Sequence, residues 1–110
     1  MAGSKLALVL ALALAGAPPA IGEEAQLVAE GREVALKACA RCHVVAEDQA
    51  QRPIMRPPAP NFVDIASRPD VTEASLRDFL AKPHGRTRGV RATPASLMSG
   101  DQTDAVIAYL

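Results

Sequence analysis

The chain has 110 residues, with twelve Lys/Arg balanced by twelve Asp/Glu and a formal net charge of zero. That balance gives no electrostatic footprint for nucleic acid. The length suits one domain, and aromatic residues are sparse, with two Phe, one Tyr and no Trp. A domain this small generally needs a disulfide, a metal or a cofactor to supplement its core.

The chain opens with a short segment carrying one positive charge at Lys5, followed by an unbroken run of Leu, Ala, Val and Gly from Leu6 to Ala17. Pro18, Pro19, Ala20, Ile21 and Gly22 follow, with small residues at the −3 and −1 positions of a cut after Gly22. This is the order of parts in a secretory signal peptide. The apolar run is shorter than the roughly 20 residues a membrane span requires. The expectation is therefore a leader over residues 1–22, an exported domain over 23–110, a periplasmic location, and no stable membrane span after cleavage.

From Ala25 to Cys39, Leu27, Val28, Val34, Ala35 and Ala38 recur at helical spacing, with Glu30, Arg32, Glu33 and Lys37 on the wet face. Gly31 lies on the apolar side, where it costs roughly 1 kcal/mol of helix propensity relative to Ala. Its presence there predicts a close crossing with another helix.

The only two cysteines fall in Cys39-Ala40-Arg41-Cys42-His43. A C-x-x-C-H string reads as a c-type haem attachment site. Thiols three positions apart can add to two vinyl groups on one porphyrin edge, and the adjacent imidazole can bind the iron as proximal ligand. Three other readings compete. Zinc needs four ligands, and no second Cys/His pair is available. A thioredoxin-like pair belongs in a βαβ context, and a simple Cys39–Cys42 disulfide suits an oxidising compartment. The export signal and the following His favour one covalent haem c held by Cys39, Cys42 and His43.

Pro53, Pro57, Pro58 and Pro60 make Gln49 to Asn61 a loop. Asn61 to Ser67 offers at most one short helix. Thr72 can N-cap a helix over Glu73 to Lys82, with Leu76, Phe79 and Leu80 as its buried stripe and Pro83 as its stop. Lys82 to Met98 is irregular and basic, with Arg86, Arg88 and Arg91. Ser99-Gly100-Asp101-Gln102 matches a capping box. It opens a last helix whose apolar side carries Val106, Ile107 and Leu110. No strand-like alternation and no repeat is evident.

These residues together resemble a class I cytochrome c of the short bacterial type, over essentially all of residues 23–110. The similar segments are Glu30-Gly31-Arg32, the Cys-Ala-Arg-Cys-His motif, Ala59-Pro60-Asn61-Phe62, Thr72 to His84, and Val106 to Leu110. The resemblance implies an all-α, cytochrome c-like fold of three to four helices around one covalently bound haem. It also implies a hydrogen bond from His43 to the Pro60 carbonyl, and a crossing of the first and last helices with Gly31 against the Ala108-Tyr109 turn.

The family's distal Met-Pro pair falls here on Thr93-Pro94, and Thr93 is a poor iron ligand. Met98 can fill the sixth position if the enlarged basic loop shifts the register, and on this expectation iron is held by His43 and Met98. Met98 can equally be a core residue before the Ser99 cap. His84 would give a bis-His haem; Met55 precedes Pro60 and belongs to the proximal side; an open iron is the fourth possibility. The expected function is a non-enzymatic periplasmic carrier of single electrons between redox proteins. The basic segment from Lys82 to Arg91 would steer an acidic docking face. A haem sensor or ligand-binding module with an open distal face, and a haem subunit of a larger oxidoreductase, are the alternatives.

Overall fold

A computed structural model of the chain describes residues 16, 19–85 and 98–110. Four helices occur among them: α1 (Pro19–Ala38), α2 (Phe62–Ala66), α3 (Glu73–Leu80) and α4 (Gly100–Tyr109). No strand is present among the described residues. Most of the expected leader, Thr93, and the basic residues Arg86, Arg88 and Arg91 lie outside them.

Helix α1 begins at Pro19, earlier than the expected Ala25. Proline is well tolerated in a first helical turn, where its missing N–H would have no intrahelical partner. The other boundaries follow local chemistry. In α2, Asn61 has an extended backbone and its Oδ1 accepts from the Asp64 N–H at 2.7 Å. Thr72 caps α3 reciprocally with Ser75: Oγ1 of Thr72 accepts from the Ser75 N–H at 3.1 Å, and Oγ of Ser75 accepts from the Thr72 N–H at 2.8 Å. Helix α3 ends at Leu80, two residues before the expected Lys82. Pro83 disfavours helical geometry at the residue before it, and the helix stops ahead of that conflict. Ser99 and Gln102 form the expected capping box of α4, with Gln102 Oε1 accepting from the Ser99 N–H at 2.9 Å.

The core joins α1 to α4 and to the segment after the cysteines. Ala35, Ala40, Val45, Phe62 and Val106 are buried together. Gly31 is buried where α1 crosses α4. A methyl group at Gly31 would overlap the Ala105 carbonyl and come within 2.8 Å of Tyr109 Cβ. The crossing is therefore centred on Ala105 and Tyr109, and Ala105 replaces the expected Ala108 because it lies one turn earlier on the same face.

The stripe expected on α3 is not buried. Leu76 and Leu80 are half-buried, and Phe79 keeps 54% of its surface exposed. Leu76 and Phe79 instead line a cavity that also contains His43. Arg77 holds α3 to its neighbours from the solvent side, pairing with Asp104 of α4 and, at 3.2 Å, with Glu73 one turn back.

Candidate functional site

The cysteine motif occupies the turn that ends α1. The Cys39 N–H donates to the Ala35 carbonyl at 2.9 Å, and the His43 N–H donates to the Cys39 carbonyl at 2.9 Å. These tight bonds carry the helical register just past its end and bring Cys39, Cys42 and His43 together. Both cysteines are free and half-buried. Burial pushes the Cys39 thiol up to about 11, and the neighbouring Cys42 adds to the rise because two negative sulfurs would repel.

The proline-rich loop is strapped to this turn by backbone hydrogen bonds. Ile54 donates to Arg41 at 2.8 Å, Ala59 to Cys42 at 3.0 Å, and Phe62 to Val44 at 3.0 Å. Proline supplies no N–H, so the donors come from the residues between and after the prolines. The strapping brings the Pro60 carbonyl to 2.6 Å from His43 Nδ1. A carbonyl only accepts, so Nδ1 carries the proton and Nε2 keeps its lone pair. This tautomer and orientation are those of an iron-binding imidazole. Phe62 meets the same ring edge-on, with centroids 5.7 Å apart.

Gln49, which no sequence signal singled out, fixes the chain after His43. Its Oε1 accepts from the Val45 N–H at 2.6 Å and the Ala46 N–H at 3.1 Å, and its Nε2 donates to the Gln51 carbonyl at 2.6 Å. The Tyr109 hydroxyl donates to the Val45 carbonyl at 2.7 Å, tying the end of α4 to the same segment.

His43 opens on a cavity of about 320 Å³. Pro60, Ile65, Val71, Leu76 and Phe79 give it an apolar wall, and Arg68, Asp70 and Ser75 its polar lining. His84 lies in the same wall, its ring 4.7 Å from that of Phe79. Met98 lies elsewhere: its half-buried side chain packs against the core cluster just before the Ser99 cap, and it is not among the residues lining this cavity. Met55 sits half-buried in the proline-rich loop.

The His43 imidazole with its free nitrogen, the two cysteines of the same turn, and the apolar wall of the cavity on which His43 opens suit a flat apolar porphyrin, although neither cysteine is among the residues lining that cavity. The zinc reading finds no support in this geometry. Among the described residues, no group of three or more His, Cys, Asp and Glu side chains could hold a metal ion. Nor does a βαβ unit surround the cysteines.

The profile of the family described as Cytochrome c matches residues 28–110. The chain is also similar to Cytochrome c-552 of Bradyrhizobium diazoefficiens, with 32% identity over 80 residues, covering 73% of this chain and 68% of that protein. No solved structure matches the chain. The matched region runs from Val28, midway along α1, through the cysteine motif to the end of α4: the chain belongs to the cytochrome c family, as an all-α class I c-type cytochrome whose cofactor is covalently bound haem c.

Proposed function

We propose that the protein is a periplasmic carrier of single electrons, with its haem held by thioether bonds to Cys39 and Cys42 and by His43 on iron. The observation that carries this reading is the His43 ring, fixed by the Pro60 carbonyl at 2.6 Å beside two free thiols and an apolar cavity wall. The bound haem supplies a one-electron iron couple with a porphyrin edge near the surface. The chain's own residues do the rest. The two cysteines would hold the porphyrin edge, His43 would bind the iron, and Ile65, Leu76 and Phe79 would give the haem an apolar wall. Rigid straps around His43 favour little rearrangement between oxidation states.

Residues 1–22 act as the export leader, and cleavage after Gly22 leaves residues 23–110 as the mature cytochrome. As it stands, α1 has no acid in its first turn. Cleavage would put Glu23 and Glu24 there, where negative charge is favoured by the helix dipole. No described helix is long and apolar enough to cross a membrane. The partners are other redox proteins, with an acidic docking face steered by the basic segment from Lys82 to Arg91. Within that segment, Lys82 already pairs with Asp78 at 2.8 Å, so the steering charge would come from the arginines beyond it.

The test is expression with a haem-ligating maturation system and recovery of the exported protein. The expected product begins at Glu23, carries one haem that survives denaturing electrophoresis, and cycles reversibly by one electron. Cys39→Ala or Cys42→Ala should sharply lower the yield of haem-bearing protein. A colourless, fully folded export product with its two sulfurs bridged would overturn the reading.

A further inference from the structure

We infer that His84 is the second axial ligand, giving a bis-imidazole haem in a family whose distal ligand is ordinarily a methionine. The inference rests on the haem assignment above. Its first support is shared position. His43 and His84 come from different parts of the chain, one from the turn after α1 and the other from beyond α3, yet both line the same cavity. Among the described residues lining it, these two are the only side chains with an imidazole or sulfur donor.

The second support is how His84 is held. Pro83 ends α3 and restricts the backbone immediately before it. Gly85 follows with φ at +80°, a conformation that favours glycine, so the chain turns sharply just after the imidazole. The ring rests against Phe79 at a 44° tilt, and His84 Nδ1 faces the Lys82 carbonyl at 3.4 Å. A carbonyl only accepts, so a proton on Nδ1 at this long contact leaves the Nε2 lone pair free, as at His43. An imidazole with that nitrogen free suits iron.

The third support is what the competing donor is doing. The Met98 side chain packs against the cluster that includes Phe62 and Val106, and its backbone is fixed by the adjacent Ser99–Gln102 capping box. Recruiting its sulfur to iron would remove an apolar side chain from the core and strain that cap. His84 requires neither change.

A second imidazole gives a lower reduction potential than a thioether would. It also closes the iron to small ligands, which favours electron transfer over gas binding.

The experiment uses the purified holoprotein. Electron paramagnetic resonance and near-infrared spectra are recorded on the ferric form, carbon monoxide is added to the ferrous form, and the midpoint potential is measured. The wild type is expected to be low-spin, to lack the methionine-to-iron charge-transfer band, and to bind no carbon monoxide. His84→Ala should become high-spin and take up one carbon monoxide per haem, and added imidazole should restore its low-spin spectrum. His84→Met should gain the thioether band and shift to a higher potential, while Met98→Leu should leave the spectrum unchanged.

A thioether band in the wild type that disappears in Met98→Leu would overturn the inference. So would a high-spin wild type that already binds carbon monoxide, or a His84→Ala spectrum identical to the parent. The wild-type spectra decide the question even if His84→Ala fails to accumulate. Loss of covalent haem from every variant would instead refute the haem assignment itself, a failure visible on a denaturing gel before any spectrum is taken.

Discussion

Replacing Gly31 with alanine would place a methyl group inside the α1–α4 crossing, overlapping the Ala105 carbonyl and 2.8 Å from Tyr109 Cβ. The main obstacle is backbone, which cannot rotate aside as a side chain would, so the two helices must separate. Overpacking of this kind costs about 1–3 kcal/mol, and a backbone obstacle puts the cost at the upper end. Alanine returns roughly 1 kcal/mol through its better helix propensity. The net loss is then about 2 kcal/mol, which in a domain of this size lowers the melting temperature by about 8–16 °C. Gly100→Ala is the matched control, since nothing lies within 4 Å of the added methyl group. Thermal unfolding of both holoproteins, followed by far-ultraviolet circular dichroism and by haem absorbance, compares them directly. If Gly31→Ala melts at or above the parent temperature, the close crossing does not hold α1 against α4 as described.

Two further perturbations address other joints. Tyr109→Phe removes the donor to the Val45 carbonyl, whose residue is 4% exposed; the expected cost is about 1 kcal/mol, or about 4–8 °C in melting temperature. Asp48 accepts two hydrogen bonds from Arg32, at 2.7 and 2.9 Å, and this partner holds its carboxyl below the ordinary value of 3.8. A depressed folded-state pKa contributes stability that is present above the unfolded value and lost as the pH falls through the folded one. Asp48→Asn should therefore be slightly less stable than the parent near neutral pH, with the difference disappearing well below pH 3.8 and shrinking in high salt, because the pair is exposed. Melting curves across pH at two salt concentrations would test this, and a difference that grew in acid would reverse the sign of the argument.

Features set by a few neighbouring residues were readable in advance. Thr72 and Ser99 cap their helices because a hydroxyl beside an uncapped helix end has one useful thing to do, and Pro83 stops α3 through its own ring. The cysteine motif is legible for the same reason: five consecutive residues carry the whole of its chemistry. What went astray depends on packing at a distance. The α3 stripe has the periodicity of a buried face, but periodicity does not say whether the space opposite is filled by side chains or belongs to a cofactor cavity. Phe79, half exposed in the cavity wall, is where that difference appears. Likewise Gly31 announced a crossing, while the partner turn, Ala105 in place of Ala108, was fixed only once the two helices met.

The two sides of the site differ in how they are built. On the proximal side His43 is determined several times over. The motif turn fixes its backbone, three straps bring up the Pro60 carbonyl, Gln49 holds the residues that follow, and Tyr109 ties that segment to α4. A ligand held by so many independent contacts belongs to the fold and cannot be exchanged without disturbing it. Beyond α3 the imidazole of His84 depends on one proline, one glycine, a ring contact and a weak hydrogen bond. A position supported so lightly can change its ligand with little cost to the rest of the domain. If His84 binds the iron as proposed above, such light support would let the chain keep the family's helices and attachment motif with Thr93 at the position where the resemblance puts the family's methionine.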